Sequence, residues 1–286
     1  MARNPAAISP TAHYTGYTWF HHQLSHPGLV TTKGRLMHRA LSPIRAMAHV
    51  ANIGTVEDFL IARHRAIDHL LTQAIESGQV TQVIEVAAGL SPRGWRFKQR
   101  YGDKIRYIEA DLPGMAQVKR QRLAQAGLQR PGHEVVDLDA MAESGPRSLA
   151  QLAQSLDSTQ GVAIITEGLL NYFDRDTVQG MWRRFSHLLA GHPHGLYLSD
   201  LHLVEAQRSP LAKTFKALLA TFVRGRVFVH FKSTDEARSA LLAAGFDQAQ
   251  LHSPVDLAKE VGMTVRKGAA LVKVIVARVR PSQQAW

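Results

Sequence analysis

Cysteine is absent from this chain. That excludes disulfides, thiolate metal ligands and a cysteine nucleophile, and it fits a cytoplasmic protein. Missing too is any run of the roughly 18 apolar residues that a membrane span needs. The opening MARNPAAISP carries positive charge without a following apolar stretch, so no secretory signal is expected. Acidic residues are scarce: 23 Asp and Glu face 34 Lys and Arg, a formal net charge of +11. A field of that sign attracts nucleic acid, anionic membrane or an anionic small substrate. The basic residues are scattered, however, and the densest groups are Lys119-Arg120-Gln121-Arg122 and Arg224-Gly225-Arg226. No aromatic-interleaved basic patch of the RNA-recognition kind is present, which makes nucleic acid the less favoured partner.

With 286 residues, 45% of them hydrophobic, the chain can bury one large core, with or without an elaborated cap. Residues 1–54 read as an N-terminal arm or lid, and 55–286 as the main domain. In the first segment His13, Tyr14, Tyr17, Trp19, Phe20, His21, His22 and His26 crowd together. Pro10, Gly16, Pro27 and Gly28 should break its regularity. Two readings stand: an arm packing its aromatics on the body, or a lid over a small-molecule pocket. His21 and His22 are adjacent and have no acidic ligand nearby in sequence, so this spacing does not predict a metal site.

From Thr55 to about Ser77 apolar residues recur at the helical period, with Thr55 as cap, Asp58 three residues on and Gly78 as the stop. Arg63 and Arg65 lie near its apolar face. Each must snorkel to solvent or meet an acid or another anion. Then β-branched runs alternate with helices. Val83–Val86 ends at Ala87-Ala88-Gly89, a small-residue turn beside a helix start. Ile105–Ala110 ends at Asp111-Leu112-Pro113, His133–Val136 at Asp137-Leu138-Asp139, Gly161–Ile165 at Thr166-Glu167-Gly168, and Gly195–Ser199 at Asp200. Residues 203–232 read as a helical insertion, and 246–251 with 271–279 as a final strand pair. Alternation of this kind predicts an α/β fold, Rossmann-like and doubly wound, with a mostly parallel seven-stranded sheet. Asp111, Asp137, Glu167 and Asp200 all fall just past strand ends, the ligand-binding edge of such sheets. Glu109 and Asp111 also follow Gly89 by 20 and 22 residues, the separation at which an acid meets ribose hydroxyls in nucleotide-binding units.

In this order Arg63-His64-Arg65-Ala66-Ile67-Asp68, Ala87-Ala88-Gly89, Glu109-Ala110-Asp111-Leu112-Pro113 and Thr166-Glu167-Gly168-Leu169-Leu170-Asn171-Tyr172 resemble the leucine carboxyl methyltransferase family. That family includes polyketide O-methyltransferases and belongs to the class I S-adenosylmethionine (SAM) enzymes. The resemblance implies SAM as cofactor and a contact set of Arg63, Glu85, Ala87, Gly89, Glu109, Asp111, Asp137, Leu138 and Glu167. Within it, Arg63 would meet the SAM carboxylate, Gly89 the methionine part, Asp111 the ribose, and Asp137-Leu138 the adenine. Glu167 would line the amino end or the wall. Ala87 stands where the family has its first Gly, and Ser91 where it often has Asp. The first fifty residues match poorly.

The implied activity is O-methylation of a small-molecule carboxylate or hydroxyl, an anionic acceptor included. In-line transfer needs positioning and exclusion of water; a hydroxyl acceptor needs a base as well. Tyr17, His22, Tyr172 and His202 are the candidate catalytic groups. The alternatives are an RNA or protein methyltransferase, suggested by the charge, and a non-catalytic SAM-binding protein, suggested by Ala87 and Ser91.

Overall fold

The computed structural model describes residues 9–43, 55–204, 228–260 and 272–280. The expected insertion at 203–232 and the tail from Pro281 lie mostly or wholly outside these residues. The chain begins with α1 (Ser9–His21), a 3-10 turn at Pro27–Leu29 and α2 (Thr32–Ala40), followed by α3 (Val56–Glu76). Next come β1 (Gln82–Val86), α4 (Arg93–Tyr101), β2 (Arg106–Asp111), α5 (Pro113–Gln125) and β3 (His133–Asp137). The remainder is α6 (Leu149–Ala153), β4 (Val162–Thr166), α7 (Arg175–Ala190), β5 (Gly195–Leu201), α8 (Thr234–Ala243), β6 (Gln248–His252), α9 (Pro254–Glu260) and β7 (Lys273–Val279).

The strands form one seven-stranded sheet in the order β3-β2-β1-β4-β5-β7-β6. The first five strands in this order run parallel, while β7 pairs antiparallel with both β5 and β6. The doubly wound expectation therefore holds, with the reversal confined to one strand. Two cores lie on opposite faces, and β1 and β4 feed them alternately. Ile84, Val86, Val162 and Ile164 join Trp182 and Phe185 of α7 on one side. Val83, Ala163 and Ile165 join Ile67 and Leu71 of α3 and Phe97 of α4 on the other. Burial on both faces is why these strands read as continuous apolar runs rather than alternating ones.

Local chemistry explains the ends. Thr55 and Asp58 form a reciprocal capping box at the start of α3, which satisfies two otherwise orphaned backbone donors. Pro113 opens α5, where its missing N–H costs nothing. Ser233 caps α8 by accepting from the Glu236 N–H. Gly16, expected to break the first segment, instead lies inside α1. A Cβ there would sit 3.0 Å from the Leu90 Cβ, so the glycine lets the helix backbone close on the loop after β1. Trp19, at 5% exposure, is part of the buried interior.

That loop contains one of the two non-glycine residues with positive φ among the described residues, the other being Gln23. Ala87 has φ of 55° and Gly89 has φ of 53°. Glycine occupies the left-handed region readily, whereas an alanine there loses roughly 1–2 kcal/mol to Cβ crowding. Ala87→Gly is therefore expected to raise unfolding stability by about 1 kcal/mol after the entropy glycine returns to the unfolded chain. Urea denaturation of the two proteins checks this, and a destabilised glycine variant would contradict it.

Candidate functional site

The C-terminal edge of the sheet collects the strand-end groups. Asp111 and Asp137 are register partners at the ends of β2 and β3. The Asp111 carboxylate accepts the Gly89 N–H at 2.7 Å and the Leu112 N–H at 2.7 Å, so it fixes the loop after β1 against the end of β2. Burial raises its pKa, and those two backbone bonds only partly offset the effect. Leu138 is buried, and its N–H donates to the Asp111 carbonyl. The Asp137 side chain is partly exposed and paired with Arg120 at 2.9 Å.

Across the crevice, Arg63 on α3 is buried and donates from Nε to Glu167 at 3.1 Å and from Nη1 to Asp200 at 2.7 Å. The other Asp200 oxygen accepts the Gly168 N–H at 2.6 Å, which ties the loop after β4 to β5. The Arg63 Nη2 packs against Gly168, where a Cβ would lie 2.8 Å away. Gly168 also has φ of 70°, so the position is closed to larger residues on two counts. Arg63 therefore meets the acids that its buried position demanded, and Nη2 is the nitrogen neither acid takes.

Below the crevice lies a charge network that the sequence did not announce. Arg93, fully buried at the start of α4, donates to Asp68 at 2.6 Å, Glu85 at 2.5 Å and Glu167 at 2.5 Å. Arg96 adds a 2.7 Å pair to Asp68, and the His64 Nδ1 lies 2.8 Å from Glu167. Burial alone would push the Glu167 carboxyl up. His64, Arg93 and Arg63 override it and hold the group far below the ordinary carboxylate range. Asp68 is lowered in the same way, against burial, by His64, Arg93 and Arg96.

Glu85 and Glu109 belong to the interior rather than to the crevice. Both oxygens of Glu85 are engaged, one by Arg93 and the other by the Tyr107 hydroxyl at 2.8 Å. Its place in the strand alternation turns it toward α3 and α4. Glu109 is fully buried, with the Lys119 Nζ at 2.8 Å and the His133 Nε2 at 3.3 Å. Burial raises Glu109, but Lys119 and His133 bring it below its ordinary value. Of the two acids spaced for ribose, the geometry thus leaves Asp111 at the loop and commits Glu109 to Lys119.

The same pair bears on the dense basic group Lys119–Arg122. Lys119 points inward, Arg120 pairs with Asp137, and Arg122 donates to the Val30 carbonyl at 2.7 Å. Arg224-Gly225-Arg226 lies outside the described residues.

The four candidate catalytic groups do not converge. Burial raises the Tyr172 phenol, outweighing Thr11 and Arg63, which lower it; it stands beside the Arg63 pocket. His202, buried just past β5, packs on Phe59 with ring centroids 5.2 Å apart, and the Arg63 guanidinium lies over the same ring at 4.8 Å. Tyr17 instead packs on His38 at 4.7 Å, and the His22 Nε2 is 3.3 Å from Glu57. Glu57, in the first turn of α3, is an acidic neighbour that linear spacing around His21-His22 did not reveal. Sequence reasoning also missed Arg93 and Lys119, because an inward-facing cation looks like a surface one until its acid is placed.

α1 lies directly on the loop after β1. Ala12 would be 3.2 Å from a Cβ at Gly89, Gly16 meets Leu90, and Trp19 packs at a tilt against His64 with centroids 4.9 Å apart. Among the described residues, no helix is long and apolar enough to cross a membrane.

The sheet order and the loop geometry define a Rossmann-like methyltransferase fold. Over nearly its whole length the chain superposes on a Streptomyces avermitilis protein of the DUF574 family, with TM-score 0.63, 14% identity, and coverage of 96% of this chain and 99% of the other. A Thermobifida fusca protein provisionally named a methyltransferase gives 0.61 and 13%, covering 96% and 98%. The family itself comes from sequence: the leucine carboxyl methyltransferase model matches residues 22–185, and the chain belongs to that family. A Frankia alni protein provisionally named an S-adenosyl-L-methionine-dependent methyltransferase is 33% identical over 54% of this chain and 52% of its own length. A Mycobacterium tuberculosis protein with the same provisional name is 26% identical over 57% and 52%. The chain spans about half the length of these curated relatives.

Two outcomes follow from the charge network. Arg93→Met leaves Asp68, Glu85 and Glu167 buried without their shared cation, and a loss of about 3–5 kcal/mol is expected in urea unfolding; a loss below 1 kcal/mol would refute it. Because the Glu167, Asp68 and Glu109 pKa values are lowered in the folded state, their stabilisation is complete above the ordinary carboxylate range. It is lost as pH falls through and below about 4. Unfolding free energy is expected to drop through that range, and less steeply in the double variant Glu109→Gln, Lys119→Met. Equal slopes would contradict the assignment.

Proposed function

We propose that this protein is a SAM-dependent O-methyltransferase and that its acceptor is a small-molecule carboxylate. The observation carrying the proposal is the Asp111–Gly89 clamp facing the Arg63 pocket across the C-terminal edge of the sheet. Asp111 retains acceptor capacity for ribose hydroxyls beyond its two backbone bonds. The Arg63 Nη2, beside Gly168, offers a donor to a carboxylate of the cofactor. Gly89, left-handed and without a side chain, allows close approach along the loop. The Leu138 side and the partly exposed Asp137 suit the adenine end. SAM would supply a methyl group on a sulfonium, ready for in-line displacement by an oxygen nucleophile.

Several features support a carboxylate rather than a hydroxyl acceptor. Glu167 and Asp200 are already committed to Arg63, and Tyr172 is held protonated, so these groups are poorly placed to take a proton. A carboxylate arrives ionised and needs none removed. The protein's part is then to orient the nucleophile and exclude water, and α1 lying on the loop suits the second task. Family membership points the same way, since the family is named for carboxyl methylation. The alternative RNA acceptor rested on the net charge of +11, and Lys119, in one of the two densest basic groups, is spent on Glu109.

Calorimetric titration with SAM is expected to give saturable binding, and transfer of labelled methyl to a base-labile ester product is expected from a pool of small carboxylic acids. Asp111→Asn keeps an acceptor for one backbone N–H but removes the charge and one acceptor set. Its SAM affinity should fall by about 5- to 150-fold, the range for losing a buried hydrogen-bond partner. Unchanged affinity would refute the ribose role, and labelled ether products alone would refute the carboxylate acceptor.

A further inference from the structure

A second cluster of titratable groups lies on the N-terminal helices, apart from the residues proposed to hold SAM. His21 ends α1, His38 lies in the last turn of α2, and Glu57 lies in the first turn of α3. One ligand atom from each falls within 4.8 Å of the others, the one such group among the described residues. We propose that His21, His38 and Glu57 bind a divalent metal ion of the zinc type.

The donor chemistry selects that class. Two imidazoles and one carboxylate suit zinc and its neighbours, whereas calcium and magnesium require oxygen-rich shells. At metal–ligand bonds of about 2.0–2.1 Å, tetrahedral ligand atoms stand roughly 3.4 Å apart. The His38 Nε2 is already 3.0 Å from Glu57 Oε1. Closing the remaining separations asks for a shift of roughly an ångström, within reach of the exposed His21 side chain. Three protein ligands leave a fourth position for water.

The surroundings have the character of a built site. His38 and Glu57 are buried at 3% and 6% exposure, so the metal would sit in a low-dielectric pocket with His21 at its mouth as the way in. A buried carboxylate needs a cation, and here imidazoles converge on it. The His22 Nε2 stands 3.3 Å from the other oxygen, Glu57 Oε2, and the Tyr14 hydroxyl donates to Oε1 at 3.4 Å. These two are the outer partners that hold a ligating carboxylate in one orientation. Ring contacts of His38 with Tyr17 at 4.7 Å and with His21 at 4.8 Å keep the imidazole in place. A bound metal would tie α1, α2 and α3 together at one point. Such donors are invisible to linear spacing because they come from three helices.

The test uses the full chain, free of any affinity tag and stripped with chelator, titrated with zinc chloride in a calorimeter. One zinc per chain is expected. His38→Ala and Glu57→Gln should each lower affinity by more than 100-fold, and His22→Ala, an outer partner, by about 10-fold. His21→Ala alters an exposed position and is expected to fold like the parent while losing more than 10-fold. The cobalt-loaded parent should show the intense visible absorption of a four-coordinate ion, and His21→Ala should lose it. Absence of stoichiometric zinc uptake, or affinity unchanged in both His21→Ala and Glu57→Gln, would overturn the proposal. Neither readout depends on methyl transfer.

Discussion

The guanidinium of Arg93 is the constraint on which the rest of the site depends. It lies wholly inside the protein and touches acids from α3, from β1 and from the loop after β4. A charge in that position cannot be left alone, since stripping its water costs several kcal/mol. Each acid it meets is likewise buried, so a misplaced α3 or α4 would leave at least one uncompensated ion. Buried ion pairs seldom add much net stability over an apolar core of the same shape. What this network supplies is a penalty on every other arrangement of α3 and α4 against the sheet.

That penalty reaches the crevice through shared atoms. Glu167 accepts from Arg93 and from Arg63, so its position after β4 is determined from below. Arg63 also holds Asp200, and Asp200 holds the Gly168 backbone. The loop after β4 is therefore set by side chains before any ligand arrives. On the other side of β1, Asp111 sets the loop after that strand in the same manner. Two loops held in place by carboxylates before any ligand arrives match what a site that must bind without reorganising requires.

Much of the sheet was legible because its strands are buried on both faces and bounded by small-residue turns. The cap of α3 at Thr55 and the proline start of α5 follow from local chemistry, and the final strand pair was legible as a pair, though its antiparallel direction came only from the sheet. The strand-end acids were legible as a set, but not their division of labour. Glu109 and Asp111 share a strand and a parity, and only the placement of Lys119 on α5 decides that Glu109 turns inward. Gly16 was misread for a related reason. A glycine in a helix weakens it locally, and only the approach of Leu90 shows why α1 needs one there. In each case sequence identified the residue type, and the partner came from an element far along the chain.

The residues of α1 that face the body decide how closely the helix approaches the loop after β1. Ala12 and Gly16 are small where the helix crosses Gly89 and Leu90, and the larger Trp19 follows, beside His64. A helix presenting bulk at Ala12 and Gly16 would be held off the loop and leave a water-filled gap above it. Small residues instead bring its backbone down, and Trp19 closes the far side over the charge network. Helix α1 therefore packs on the loop after β1, which Asp111 holds from the other strand. The left-handed Ala87 fits the same logic: the turn is held by Asp111 and by α1 packed on it, so a residue that disfavours that backbone can be tolerated there.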